Sequence, residues 1–246
     1  MEDKKEAEKW KKLFLRVMGV MSLRIEEQGH ELLPELYIQQ LVGREPFCCF
    51  KRDSTGRGFR LSLVVDMSGS MHGTFDNVQR LTRVLQDALD FPFVHMKVRG
   101  FNTREAGKVN IYMYPRKTEG LVSSFSQVAG ITPLSHAIQI CGREMLGHRD
   151  DNHMFVLSDG FPVYSLANGK SLNTSALVQW TRDAVMDLRR QKVKVWCFMI
   201  GEHTPGTADM DTMFGHDNWR KIEAATLYSD SFSFLVKQFL RYVRTR

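Results

Sequence analysis

Hydrophobic positions repeat with two different periods along the chain, and the change between them comes near residue 58. Before it, Trp10, Phe14, Val17, Met18 and Met21 recur at spacings of three and four, which predicts a helix over 4–21. LPELYIQQLV (33–42) suggests a second short helix stopped by Gly43, and PFCCFKRDSTGRG (46–58) an extended segment running into a turn. After residue 58, short apolar runs alternate with amphipathic stretches. FRLSLVVD (59–66), VHMKVRGF (94–101), KVNIYMYP (108–115), HMFVLSD (153–159) and VKVWCFMIG (193–201) are expected strands. Residues 77–91, 133–146 and 174–191 are expected helices, with a short helix at NWRKIE (218–223) and a closing segment at 231–243.

Near-continuous apolar strands separated by helices imply a mostly parallel sheet covered on both faces. The link NTREAG (102–107) is too short for a helical crossover, so the strands it joins should be antiparallel. The expectation is an α/β, doubly wound, Rossmann-like fold over 59–246, with one antiparallel edge strand and an N-terminal helical and extended extension over 1–58. Trp180 and Trp196 fall on the core periodicity and are expected to pack inside.

Composition narrows the function classes. No apolar stretch reaches the roughly 18 residues of a membrane span. The charged opening MEDKKEAEKWKKLF has no apolar signal core, which predicts a cytoplasmic chain without a membrane role. The four cysteines, Cys48, Cys49, Cys141 and Cys197, have neither CxxC nor Cys/His zinc spacing, and Cys141 and Cys197 sit in apolar patterns as small core residues. Net charge is +6, concentrated at the two ends. At the N-terminal end Glu2, Asp3, Glu6 and Glu8 interleave with the lysines, the pattern of a solvated helix face rather than a nucleic-acid stripe.

The chemistry lies at strand ends. VVDMSGSM (64–71) closes a buried strand on Asp66, followed by Ser68 and Ser70 around Gly69. In a doubly wound sheet ligands bind at the carboxyl ends of strands. Asp159, in VLSDG, ends the fourth strand and should lie beside Asp66. Thr132, in GITPL, precedes the helix leading into that strand and reaches the same rim. Two carboxylates and three hydroxyls form an all-oxygen donor set suited to a hard cation, Mg²⁺ or Mn²⁺. Ser68 and Ser70 would bind directly, with Asp66 orienting through water or hydrogen bonds. Taken singly, the serines also suit helix capping, and Asp159 suits a turn before Gly160. GKS (169–171) lacks the upstream glycine of a phosphate loop, and the DMSGS loop has no second acid poised for proton transfer, so the chain is expected not to be an enzyme. His72 is a candidate rim residue, while His95, His136 and His153 fall inside element patterns.

Asp66, Ser68 and Ser70 in DMSGSM, Thr132 in GITPLSHA and Asp159 in LSDG resemble, in order, the metal-ion-dependent adhesion site (MIDAS) of von Willebrand factor A domains. The resemblance spans about residues 59–246. Within that family the chain is similar to the cobaltochelatase subunit T type, on ELYIQQLVGREPFCCFKRDSTGRGFRLSLVVDMSGSM, SDGFPV and MIGEH. It has no acidic, Gln- or Pro-rich central region like that of full-length chelatase subunits, so it is expected to be a compact relative from a phage or bacterial mobile element. The resemblance implies a Mg²⁺-dependent protein-interaction module. An acidic residue of a partner would complete the metal shell, and the expected partner is a AAA+ ATPase of the MoxR or chelatase type. Two other readings stay open: a nucleic-acid-associated protein using its basic termini, and a metal-chelatase subunit.

Overall fold

The structure is a computed structural model that describes residues 4–5, 7–12, 25–26, 31–32, 50–51, 59–90, 94–114, 128–148, 151–200 and 206–223. The chain divides into two compact units, one of Met1–Arg57 with Phe232–Arg246 and one of Gly58–Ser231. In the first, residues 4–5 and 7–12 are helical, with Ala7 and Trp10 buried three positions apart. Three two-residue strands, β1 (Ile25–Glu26), β2 (Glu31–Leu32) and β3 (Phe50–Lys51), pair antiparallel in the order β1-β3-β2. The expected helix at 33–42 and the closing segment at 231–243 lie outside the described residues.

The second unit is built on a six-stranded sheet. Its elements are β4 (Phe59–Asp66), α1 (Phe75–Ala88), β5 (Val94–Asn102), β6 (Asn110–Tyr114), α2 (Leu134–Arg143), β7 (Asp151–Ser158), α3 (Thr174–Arg190), β8 (Val193–Ile200), α4 (Thr207–Phe214) and β9 (Trp219–Ile222). The strand order is β6-β5-β4-β7-β8-β9. All neighbours are parallel except β5 and β6, which pair antiparallel from Val98 opposite Tyr114 to Asn102 opposite Asn110. The antiparallel edge strand anticipated from the short 102–107 link is therefore present.

From β4 the chain crosses through α1 to β5 on one side, and later elements build outward through β7, β8 and β9 on the other. Right-handed crossovers in opposite directions put their helices on opposite faces. One face buries Val64, Met154, Val156, Val195, Cys197 and Met199 against Leu134, Ile138 and Cys141 of α2, Val178, Val185 and Leu188 of α3, and Met210, Met213 and Phe214 of α4. Alternation turns Leu61, Leu63, Val65, Phe155, Leu157 and Phe198, all buried, to the other face. α1 turns Val78, Leu81, Val84 and Leu85 inward. The strand order reverses direction between β4 and β7, so the crevice of a doubly wound sheet opens between their carboxyl ends.

Two expectations are corrected. NWRKIE is not a helix: Trp219–Ile222 forms β9, parallel to β8 in the register Cys197–Trp219 to Ile200–Ile222. Trp219 and Ile222 are three apart, a spacing that suits a helix. Among the described residues, however, this segment is the outermost strand, pairs with β8 alone and keeps Arg220 and Lys221 exposed. Trp180 is not in the core either: it is 41% exposed. The buried stripe of α3 runs through Leu177, Val178, Thr181, Ala184, Val185 and Leu188, and Thr181 occupies the inward position beside it.

Candidate metal centre

The site begins where β4 runs out. Asp66 is its last residue and is fully buried. Oδ1 of Asp66 accepts the backbone N–H of Ser68 at 2.8 Å, which turns the chain sharply after the strand. Oδ2 accepts the hydroxyl of Ser158, the last residue of β7. β4 and β7 pair in register through Val65 and Leu157, which brings Ser158 opposite Asp66.

Beyond the turn, Gly69–Thr74 form a 3₁₀ helix that leads into α1. Ser68 stands at its N-cap but makes no side-chain capping bond, and neither does Thr74 at the start of α1. The serine hydroxyls are used elsewhere. Ser68 Oγ lies 3.0 Å from Ser70 Oγ, and Ser70 Oγ donates to Asp159 Oδ1 at 2.9 Å. Asp66, Ser68, Ser70 and Asp159 thus form one hydrogen-bonded chain across the β4–β7 crevice. Ser68 and Asp159 are largely covered, while Ser70 opens to solvent.

Thr132 lies on a neighbouring loop stitched to the first. Ala129 N–H donates to Met67 O at 3.0 Å, and Gly69 N–H to Gly130 O at 3.2 Å. Thr103 and Ile131 exchange two backbone bonds of 3.0 Å. The carbonyl of Thr132 accepts Leu134 N–H at 2.9 Å and Val163 N–H at 2.8 Å. Loops 67–70, 129–132 and 159–163 are therefore tied together by backbone hydrogen bonds around the two carboxylates, and Thr132 is buried at 4% exposure. Gly130 is required here. Its φ is +86°, and a Cβ would run into the carbonyl of Thr103.

Residues outside the motif hold the loop. Met67 N–H continues the ladder to Phe101 O at 2.8 Å. Buried Asn102, at the end of β5, donates to Met67 O at 3.3 Å and accepts from Asn110 Nδ2 at 3.1 Å and Tyr112 Oη at 3.2 Å. Tyr114 Oη donates to Met67 Sδ at 2.8 Å. Sequence reasoning missed Ser158 and Asn102. The sequence shows only that a polar residue follows an apolar run at each strand end, Ser158 after MFVL and Asn102 after GF.

Electrostatics favours a cation. Burial pushes the Asp66 carboxyl up to about 6, against the pull of its bonds from Ser158 and Ser68, and the negative charge of Asp159 pushes the same way as burial. Two carboxylates that repel each other, one of them wholly buried, are relieved by a positive charge between them. The donors also fit in size. A Mg²⁺ octahedron with arms of roughly 2.1 Å has edges of roughly 3.0 Å. The Ser68–Ser70 and Ser70–Asp159 oxygen separations are 3.0 and 2.9 Å. Little rearrangement separates oxygens that bond each other from oxygens that share an ion. Among the described residues no group of three or more His, Cys, Asp or Glu side chains could hold a metal, so a metal here would depend on hydroxyl donors.

His72 is exposed in the 3₁₀ helix, two residues after Ser70. GKS (169–171) lies in a turn closed by the Ser165–Ser171 bridge, with Gly169 at φ +78°. His153 is buried against Phe59 at the opposite end of the strands. Cys141 and Cys197 are buried free thiols.

No protein-family model and no curated protein matches the sequence. Solved structures share the fold. The pilus adhesin SpaC of Lactobacillus rhamnosus GG, in its open conformation, superposes with a TM-score of 0.55 at 15% identity, over 76% of this chain and 30% of that one. The vWF domain of the type V pili tip protein Mfa5 of Porphyromonas gingivalis superposes with a TM-score of 0.55 at 8% identity, over 76% and 96%. Proximal thread matrix protein 1 of the mussel byssus, with a zinc-occupied MIDAS motif, gives 0.50 at 12% identity, over 74% and 46%. This chain spans about a third of the first adhesin and about half of the mussel protein. The second unit therefore has the fold of a von Willebrand factor A domain.

Proposed function

We propose that this chain is a metal-dependent protein-interaction module and not an enzyme. Asp66, Ser68, Ser70, Thr132 and Asp159 would hold Mg²⁺ or Mn²⁺. The observation that carries the reading is the single chain of hydrogen bonds from Asp66 through Ser68 and Ser70 to Asp159, with a buried carboxylate at one end and a solvent-open hydroxyl in the middle. The bound ion supplies an electrophilic position facing the partner.

The residues of the chain do the rest. Ser68 and Ser70 contribute neutral oxygens, so the ion keeps more of its charge than it would among carboxylates alone. Asp66, fixed by Ser158 and the Ser68 amide, orients the loop from below. Ser70 lies at the solvent face, where an aspartate or glutamate of a partner has access. A carboxylate is the ligand that a hard, under-neutralised cation prefers. The zinc-occupied MIDAS of the mussel protein, on a fold of this kind, supports the reading. The finer assignment, a AAA+ ATPase as partner, rests on the sequence resemblance to the cobaltochelatase subunit T group.

The test is capture from the native cell extract with wild-type bait and with Ser68→Ala/Ser70→Ala bait, each in Mg²⁺ and in EDTA, followed by mass spectrometry. A partner retained only by wild type in Mg²⁺ supports the module, and an ATPase among such partners supports the finer reading. Partners that ignore EDTA and the substitutions, but leave with nuclease or high salt, overturn it in favour of nucleic-acid association.

A further inference from the structure

Beside the ligand loops, α2 and α3 leave a cleft of about 230 Å³ lined by Ser135, His136, Gln139, Trp180 and Asp183. Trp180, expected in the core, instead lines this cleft and is 41% exposed. The His136 ring lies 4.3 Å from that of Tyr164 and meets the Trp180 ring edge-on at 6.1 Å. Burial lowers the His136 pKa, which favours the uncharged ring. The walls therefore offer an indole and an imidazole, with the Asp183 carboxylate and the Gln139 amide oxygen as acceptors, while the buried Ser135 hydroxyl lies 3.3 Å from His136 Nδ1. None of the five lining residues is Lys or Arg.

An apolar side chain seated here would cover Asp183 and Gln139 without replacing their hydrogen bonds to water. A guanidinium avoids that cost. It is planar, weakly hydrated and stacks on aromatic faces, and its five donors suit carboxylate and amide oxygens. The cleft is also fixed relative to the metal centre. α2 starts two residues after Thr132, and Tyr164 lies five residues after Asp159 in a loop held to the Thr132 carbonyl by Val163 N–H.

We propose that the cleft between α2 and α3 receives an arginine side chain of the same protein partner whose acidic residue reaches the metal centre. This rests on the interaction reading above. The partner motif is then bipartite, one acid and one arginine on a single surface, and charge order across the two sites sets the orientation of docking. The arginine site needs no metal of its own.

The test is titration of the full chain with N-acetyl-arginine amide, N-acetyl-citrulline amide and N-acetyl-norleucine amide, in Mg²⁺ and in EDTA. It is followed by ¹H–¹⁵N NMR at the Trp180 indole, assigned by its loss in Trp180→Phe, and at the Gln139 amide. The arginine probe should shift both signals saturably in either buffer. The citrulline isostere should bind roughly tenfold more weakly. Asp183→Asn and Trp180→Ala should each weaken the arginine probe roughly threefold or more at Gln139, with the rest of the spectrum unchanged. Equal binding of citrulline, stronger binding of norleucine, or no saturable shift would overturn the proposal. Because the EDTA arm is independent of the ion, failure of the metal reading leaves this result intact, and the reverse also holds.

Discussion

Ser70 Oγ donates a 2.9 Å hydrogen bond to Oδ1 of Asp159, joining the loop after β4 to the residue that follows β7, 89 positions later. The bond crosses the reversal point of the sheet. It makes Asp66, at the end of β4, and Asp159, the residue after β7, one electrostatic unit.

Asp66 should trade stability for binding. Its carboxyl is raised from 3.8 to about 6 by burial and by Asp159. A folded-state pKa above the unfolded one means that the folded protein holds the proton more tightly. That contribution is fully present below pH 3.8 and is lost as pH rises through 6. Above pH 6 the ionised group costs metal-free protein about 3 kcal/mol. Asp66→Asn should therefore melt at or above the wild-type temperature at pH 7.5 in EDTA, with the difference closing toward pH 4. The same variant should lose the Mg²⁺-induced rise in Tm. Thermal melts across pH, with and without Mg²⁺, check both halves.

The Thr132 hydroxyl should matter to the ion and little to the fold. Thr132→Val keeps the shape and removes the oxygen, while Thr132→Ser keeps the oxygen. Mn²⁺ affinity should fall about tenfold or more in the first and stay within about threefold in the second. Removing one neutral hydrogen-bonding group should cost the fold only about 1 kcal/mol. Calorimetric titration with Mn²⁺ and urea unfolding separate the two effects.

Gly130→Ala should damage fold and site together. The left-handed φ of +86° and the Thr103 carbonyl leave no room for a methyl group, and the obstacle is backbone. A loss of at least about 2 kcal/mol is expected. The Thr132 loop would separate from Thr103 and Gly69, and metal affinity would drop even where the protein still folds. Urea unfolding and Mn²⁺ titration measure this.

Asn102→Ala should loosen the loop from beneath. It removes the donor to Met67 O and leaves Asn110 Nδ2 and Tyr112 Oη without the oxygen they share. A cost of about 1–3 kcal/mol is expected, with metal affinity reduced although Asn102 is no ligand. A double-mutant cycle with Ser68→Ala should show coupling between the two positions.

Much of this was legible in the sequence where burial is two-sided. FRLSLVVD and HMFVLSD are mostly apolar because both faces of central strands are covered, so their ends, and with them Asp66 and Asp159, could be placed. The short NTREAG link determined the antiparallel edge. Legibility failed at the periphery. Among the described residues β9 pairs with β8 alone, and its sequence carries no continuous apolar run. α4 is eight residues long, and its inward set of Met210, Met213 and Phe214 is too brief to stand out. Trp180 looked like core because a tryptophan one position off a helical stripe differs little from one on it. Ser158 and Asn102 act through neighbours supplied by the sheet register, which no local pattern contains.

The central claim is tested most directly by Mn²⁺ binding to metal-stripped protein, read by the electron paramagnetic resonance signal of free Mn²⁺, for wild type and for Ser68→Ala/Ser70→Ala. One site per chain is expected, competed by Mg²⁺ and absent from the double variant. No site in the wild type, or a site that survives loss of both hydroxyls, would contradict it.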